Sequence, residues 1–197
     1  MHTFRYCTPL IVVFLALLAG CTATERPEAW VEIPQADLTE AQAAQFEAAD
    51  GARKAMFGGL MERLMAAMQD GGAPVAIEVC QEVAPAIAAE TGATKNLRIG
   101  RTSFRLRNPD NTAPAWAAPY VAARQADPVV LHNTKDGSLA ALFPIVLKAE
   151  CVQCHGPKDS LDPAVRAALD GAYPQDEATG FEAGDLRGWF HATVPAA

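Results

Sequence analysis

Leu97-Arg98-Ile99-Gly100-Arg101-Thr102-Ser103-Phe104-Arg105-Leu106-Arg107 is where the chain changes its repeat. Thr102, Phe104 and Leu106 alternate with Arg101, Ser103, Arg105 and Arg107, the pattern of a strand with one face on a core. Asn108-Pro109-Asp110-Asn111 behind it is a turn signal. Upstream the repeat is helical. Phe46, Met56, Leu60, Leu64 and Met68 recur at helical spacing between Leu38 and about Asp70. Thr39 and Gln42 offer a capping box, and Gly71-Gly72 ends the run, with Gly51 a second candidate break. The methionines at 56, 61, 65 and 68 read as core filling. A second helix is expected over Pro74 to Glu90, with Ile77, Cys80, Ala84 and Ile87 on one face and a kink at Pro85. Downstream, Val129 to His132 and Leu139 to Val146 flank Lys135-Asp136-Gly137 as a hairpin, and Leu186 to Val194 reads as a closing strand. Short helices are expected from Pro114, from Lys148 and over Pro163 to Leu169. Helices first and hairpin-linked strands after predict an α+β fold with an antiparallel sheet.

The N-terminus predicts export. Arg5 precedes an unbroken apolar run, Leu10 to Leu18, too short for a comfortable membrane span and suited to a signal peptide. Leu18-Ala19-Gly20-Cys21 resembles a bacterial lipobox, which implies cleavage before Cys21 and acylation of its thiol. Residues 1–20 are therefore expected to be a signal peptide, 21–37 a lipidated tether containing Pro27 and Pro34, and 38–197 the folded domain. The expected location is periplasmic and membrane-anchored, with Thr22 leaning towards the outer membrane. A net charge of -7 argues against nucleic acid as a partner, because phosphate binding needs a basic surface.

Cysteine usage carries the chemistry. Cys7 falls in the signal and Cys21 at the lipidation site, which leaves Cys80, Cys151 and Cys154. Cys151-Val152-Gln153-Cys154-His155 has the spacing of a c-type haem attachment site. Two thiols three residues apart each add to one porphyrin vinyl group, and the adjacent His is held beneath the iron. A redox dithiol lacks the His at this place, and a zinc site needs further ligands at matching spacing, with no second CxxC or HxxxH in the chain. One covalent haem c is the expected cofactor. Cys80 is then the cysteine without an assigned role, and it is the favoured second iron ligand. His132, His191 and the methionines of the first long helix are its rivals, and burial as a small apolar side chain is its plain alternative. Arg101, Arg105 and Arg107 are expected on one strand face, with Arg101 and Arg105 assigned to the haem propionates. Arg187 with Asp185 reads as a local ion pair.

Four blocks make the chain similar to a family of small exported bacterial proteins with a single c-type haem. They are Ala76-Ile77-Glu78-Val79-Cys80 with Ala84-Pro85; Ile99 to Pro109 with Asn111, Pro114 and Trp116; Pro144-Ile145 before Cys151 to Gly156; and Tyr173-Pro174, Asp176, Ala178, Gly180 and Gly184 to Gly188. The chain departs from the family pattern at Phe181, where Tyr is expected. The resemblance implies a PAS-like fold around the haem and leaves the physiological role open. A redox or small-ligand sensor signalling to a membrane protein is the first expectation, and an electron-transfer cytochrome with a redox partner the alternative. An enzyme would need an open iron site with acid–base groups such as His132 or His191, and is less expected than either.

Overall fold

The computed structural model describes residues 29–196; the expected signal peptide over 1–20 and the expected lipidation site Cys21 lie outside them. The fold is α+β: a helical hairpin packs on one face of a five-stranded antiparallel sheet, and the PAS-like arrangement leaves a cavity between them. Strands β1 (Trp30–Glu32), β2 (Arg98–Thr102), β3 (Val129–Asn133), β4 (Leu139–Val146) and β5 (Leu186–Val194) lie in the order β1-β3-β4-β5-β2. Helix α1 (Glu40–Lys95) precedes β2; α2 (Ala118–Ala122), α3 (Val152–His155) and α4 (Pro163–Ala172) follow it.

Helix α1 is two helices. Thr39 caps it through the expected box with Gln42, and the left-handed Asn96 closes it. In between, Gly72 has φ 75° and ψ −165°, a conformation nearly confined to glycine. The chain reverses there, since a side chain added at Gly59 would touch Ile87. Pro74 falls in the first turn of the second arm, where its missing N–H costs nothing. Gly51 does not break the helix, and the second arm keeps helical φ/ψ through Pro85.

The central strand explains its own composition. Along β4, Leu139, Ala141 and Phe143 pack with Ala49, Ala52 and Met56 of α1, whereas Ala140 and Leu142 pack with Trp116, Val121 and Trp189 on the other face. Both faces are covered, so the strand reads as an apolar run rather than an alternation. The alanines at 49 and 52, fully buried, let the helix sit close to the sheet.

Two expectations are corrected. Trp30–Glu32 belongs to the sheet, paired with Leu131 to Asn133, so the tether expected over 21–37 is already part of the fold by residue 30. The strand expected from Leu97 to Arg107 stops at Thr102. Ser103 turns the chain out of the sheet: its hydroxyl donates to the Arg187 carbonyl and accepts from the Arg105 N–H. Gly188 permits the crossing, because a side chain there would collide with the Thr102 carbonyl.

Candidate cofactor site

Three segments meet over the cavity. Ala149–Cys151, a 3-10 turn, runs into α3, which carries Cys154 and His155. The second arm of α1 brings Cys80, and β2 brings Arg101. The cavity is about 370 Å³. Cys80, Arg101, Arg107, Cys151, Cys154, His155, Tyr173 and Arg187 lie on its lining, together with Met61, Leu64, Met68, Ile77 and Ile145. Cys80, Cys151 and Cys154 are free thiols. Among the described residues no cluster of three or more His, Cys, Asp or Glu is placed to hold a bare metal ion.

His155 is held from behind. Its Nδ1 lies 2.8 Å from the Ala178 carbonyl, which only accepts, so Nδ1 carries the proton. The other nitrogen, Nε2, then has the free lone pair a metal ligand needs. Arg187 Nε, 3.3 Å from Nδ1, is a neighbour and not a donor to it in this tautomer. Burial keeps the imidazole neutral by lowering its pKa well below the usual range, and the Arg107 and Arg187 charges push the same way.

The clamp on His155 comes from the loop after α4. Gly180 N–H donates to the Gly156 carbonyl and Phe181 N–H to the His155 carbonyl. Arg107 ties the two segments together, donating to the carbonyls of Cys154 at 2.6 Å and Ala178 at 3.2 Å while pairing with Asp176 at 3.1 Å. Asp176 also accepts from the Ala178 N–H. Phe181, buried, meets the His155 ring edge-on at 6.4 Å and lies under Arg105 and Arg187. A tyrosine hydroxyl has no role in these contacts of the ring. Asp176, Ala178 and Gly180 stand out in the sequence only as parts of a family block, and Phe181 only as a departure from it; Ala178 and Gly180 act through backbone atoms, which have no residue signature.

The thiol of Cys80 sits near Cys154, Arg101, Arg107 and Tyr173. Burial pushes its pKa up, against the pull of Arg101 and Arg107. Burial likewise raises the Tyr173 phenol to about 12, so it stays protonated, and lowers Arg187 to about 9.

The other expected residues divide. Arg101 faces the cavity. Arg105 does not: its guanidinium donates to the carbonyls of Glu177 and Thr179, stacks 4.6 Å over Phe181, and braces the clamp loop. Its assignment to a propionate is corrected by the turn at Ser103, which takes it off the strand face. Arg187 is not paired with Asp185, whose carboxylate instead accepts from Glu182 N–H; it turns inward to Ser103 and Arg105. His132 and His191 lie off the cavity, and His191 packs edge-on against Trp116 at 6.5 Å. Of the methionines, Met56, Met61, Met65 and Met68 all border the cavity; Met56 is also buried in the core, while Met65 is half exposed.

The residues present fit a c-type haem. Both attachment thiols and a histidine of settled tautomer share one largely apolar hollow, with a further thiol and cationic groups on its walls. Fold and site together define a small PAS-like α+β protein with a CxxCH segment clamped beside its sheet. Residues 31–195 match the Tll0287-like family, and the chain belongs to that family. Among solved structures, that of the cyanobacterial haem protein Tll0287 shares the fold, with a TM-score of 0.54 and 23% identity over 81% of this chain and 98% of the other. A search of curated proteins gave no match.

Proposed function

We propose that this chain is a c-type haem protein that senses redox state or a small ligand. Cys151 and Cys154 carry the porphyrin through thioethers, His155 supplies one iron ligand and Cys80 the other. One observation carries the reading: His155, with Nδ1 committed to Ala178, shares a single cavity with the two attachment thiols and Cys80. The likeness in fold to Tll0287, a haem protein, adds support. Bound haem supplies one-electron chemistry and an iron site for small ligands. The chain's own residues hold and orient it: the 176–181 clamp fixes the imidazole, and the α1 arms and β2 wall keep water from the iron's surroundings. A cysteine ligand that shares its surroundings with Arg101, Arg107 and Tyr173 suits a sensor, because its protonation would release the iron.

The second reading is electron transfer. Phe57 (40% exposed) and Met65 (51%) form an apolar rim at the cavity, through which a redox partner would approach. In both readings the protein is exported and held at the membrane through lipid on Cys21, and it acts on a membrane or periplasmic protein partner. Cys21→Ser should abolish membrane retention; equal retention of both forms after signal removal would defeat the anchor.

Cys80→Ala separates the iron-ligand assignments. With haem still attached, its ferric absorption and electron paramagnetic resonance spectra should move from low spin towards high spin. Spectra identical to wild type in both oxidation states would reject Cys80 and turn attention to the lining methionines.

A further inference from the structure

The chain is acidic overall, yet its cavity is lined by cations. Arg101, Arg107 and Arg187 all reach the lining. Arg107 has its counter-charge in Asp176. The Arg101 guanidinium makes no hydrogen bond or ion pair with any described residue. Arg187 donates to neutral oxygens, Ser103 Oγ at 2.8 Å and the Arg105 carbonyl at 3.0 Å, and the carboxylate that acts on its charge, Asp176, is already paired with Arg107. Tyr173, 7% exposed, also borders the cavity, and its hydroxyl has no hydrogen-bond partner among the described residues. The acid on the lining, Glu150, is exposed and pairs with none of these groups. Partly desolvated guanidinium groups without counter-charge are unfavourable unless an occupant supplies one. Every unanswered group here is a donor, and a guanidinium fork with a phenol O–H matches a carboxylate.

We propose that Arg101, Arg187 and Tyr173 form an anion site inside the cavity that takes carboxylate groups. The inference rests on the c-type haem reading, whose cofactor brings two propionates; a free carboxylate metabolite would present the same group. In either case the two guanidinium charges share the cavity with the haem and favour its reduced, more electron-rich form.

The test uses the haem-loaded protein. Covalent haem is first quantified by its alkaline pyridine spectrum. The reduction potential is then measured for wild type, Arg101→Met, Arg187→Met, Arg101→Lys, Arg187→Lys and Tyr173→Phe, with and without sodium acetate. Both Met variants and Tyr173→Phe should shift to more negative potential, while the Lys variants stay near wild type. Acetate without effect on wild type identifies the haem propionates as the occupant. A saturable acetate shift that the Met variants lack identifies a free carboxylate. Met variants with full haem and unmoved potential, or Lys variants that shift as far as Met, would overturn the site while leaving the haem reading intact. Wild type without covalent haem would remove the haem reading and this inference with it.

Discussion

Asp176 shows how much of the cofactor site hangs on single side chains. It pairs with Arg107 where both side chains are nearly buried, 10% and 11% exposed, and it also fixes the Ala178 N–H. Arg107 in turn holds the Cys154 and Ala178 carbonyls, and Ala178 holds His155. Removing one partner of a buried ion pair leaves the other uncompensated, which costs about 3 kcal/mol. Asp176→Asn should therefore lower the stability by roughly that amount in urea denaturation. Asp50→Asn at the more exposed cluster with Arg53 and Lys54 should cost about 1 kcal/mol or less. Equal effects of the two substitutions would mean that Asp176 is not structural. The residues of the attachment motif were legible in the sequence because their chemistry is local: two thiols and a histidine at fixed spacing. The partner of His155 was not, since Ala178 contributes a carbonyl that any residue could supply.

Among the elements, the hairpin β3–β4 and strand β5 could be read from pattern because covered strands are rich in apolar and β-branched residues. Strand β1 could not, with three residues, an exposed Val31 and prolines nearby at 27 and 34. The early end of β2 was hidden as well, because the alternation continues past Thr102 while the Ser103 hydroxyl bends the backbone away. The hairpin in α1 was signalled by Gly71-Gly72, and Gly72 is the residue that makes the turn. Its φ and ψ lie in a region that side chains disfavour by about 1–3 kcal/mol. Gly72→Ala should lower the unfolding midpoint accordingly and loosen the approach of Cys80 to Cys154. An unchanged midpoint would show that the turn relaxes without strain.

At the scale of the whole molecule, the sheet and the helical hairpin supply two walls, and the CxxCH segment with its clamp loop supplies the third. Sequence alone placed Cys80 on an inward helix face, but bringing it into one cavity with His155 required the reversal at Gly72 and the packing of the helical hairpin on the sheet. The inward turn of Arg187 was equally invisible, because Asp185 stands two residues away and suggests a pair that the fold does not make. Both proposed readings, sensing and electron transfer, would depend on covalent haem at Cys151 and Cys154. The most direct measurement is the intact mass of the protein, expressed with a haem-attachment system, before and after acid–acetone extraction. Wild type should carry one added haem that survives extraction, and the haem should be lost when Cys151 and Cys154 are both replaced by Ala. Haem that extracts freely, or a wild-type chain that carries none, would contradict covalent attachment.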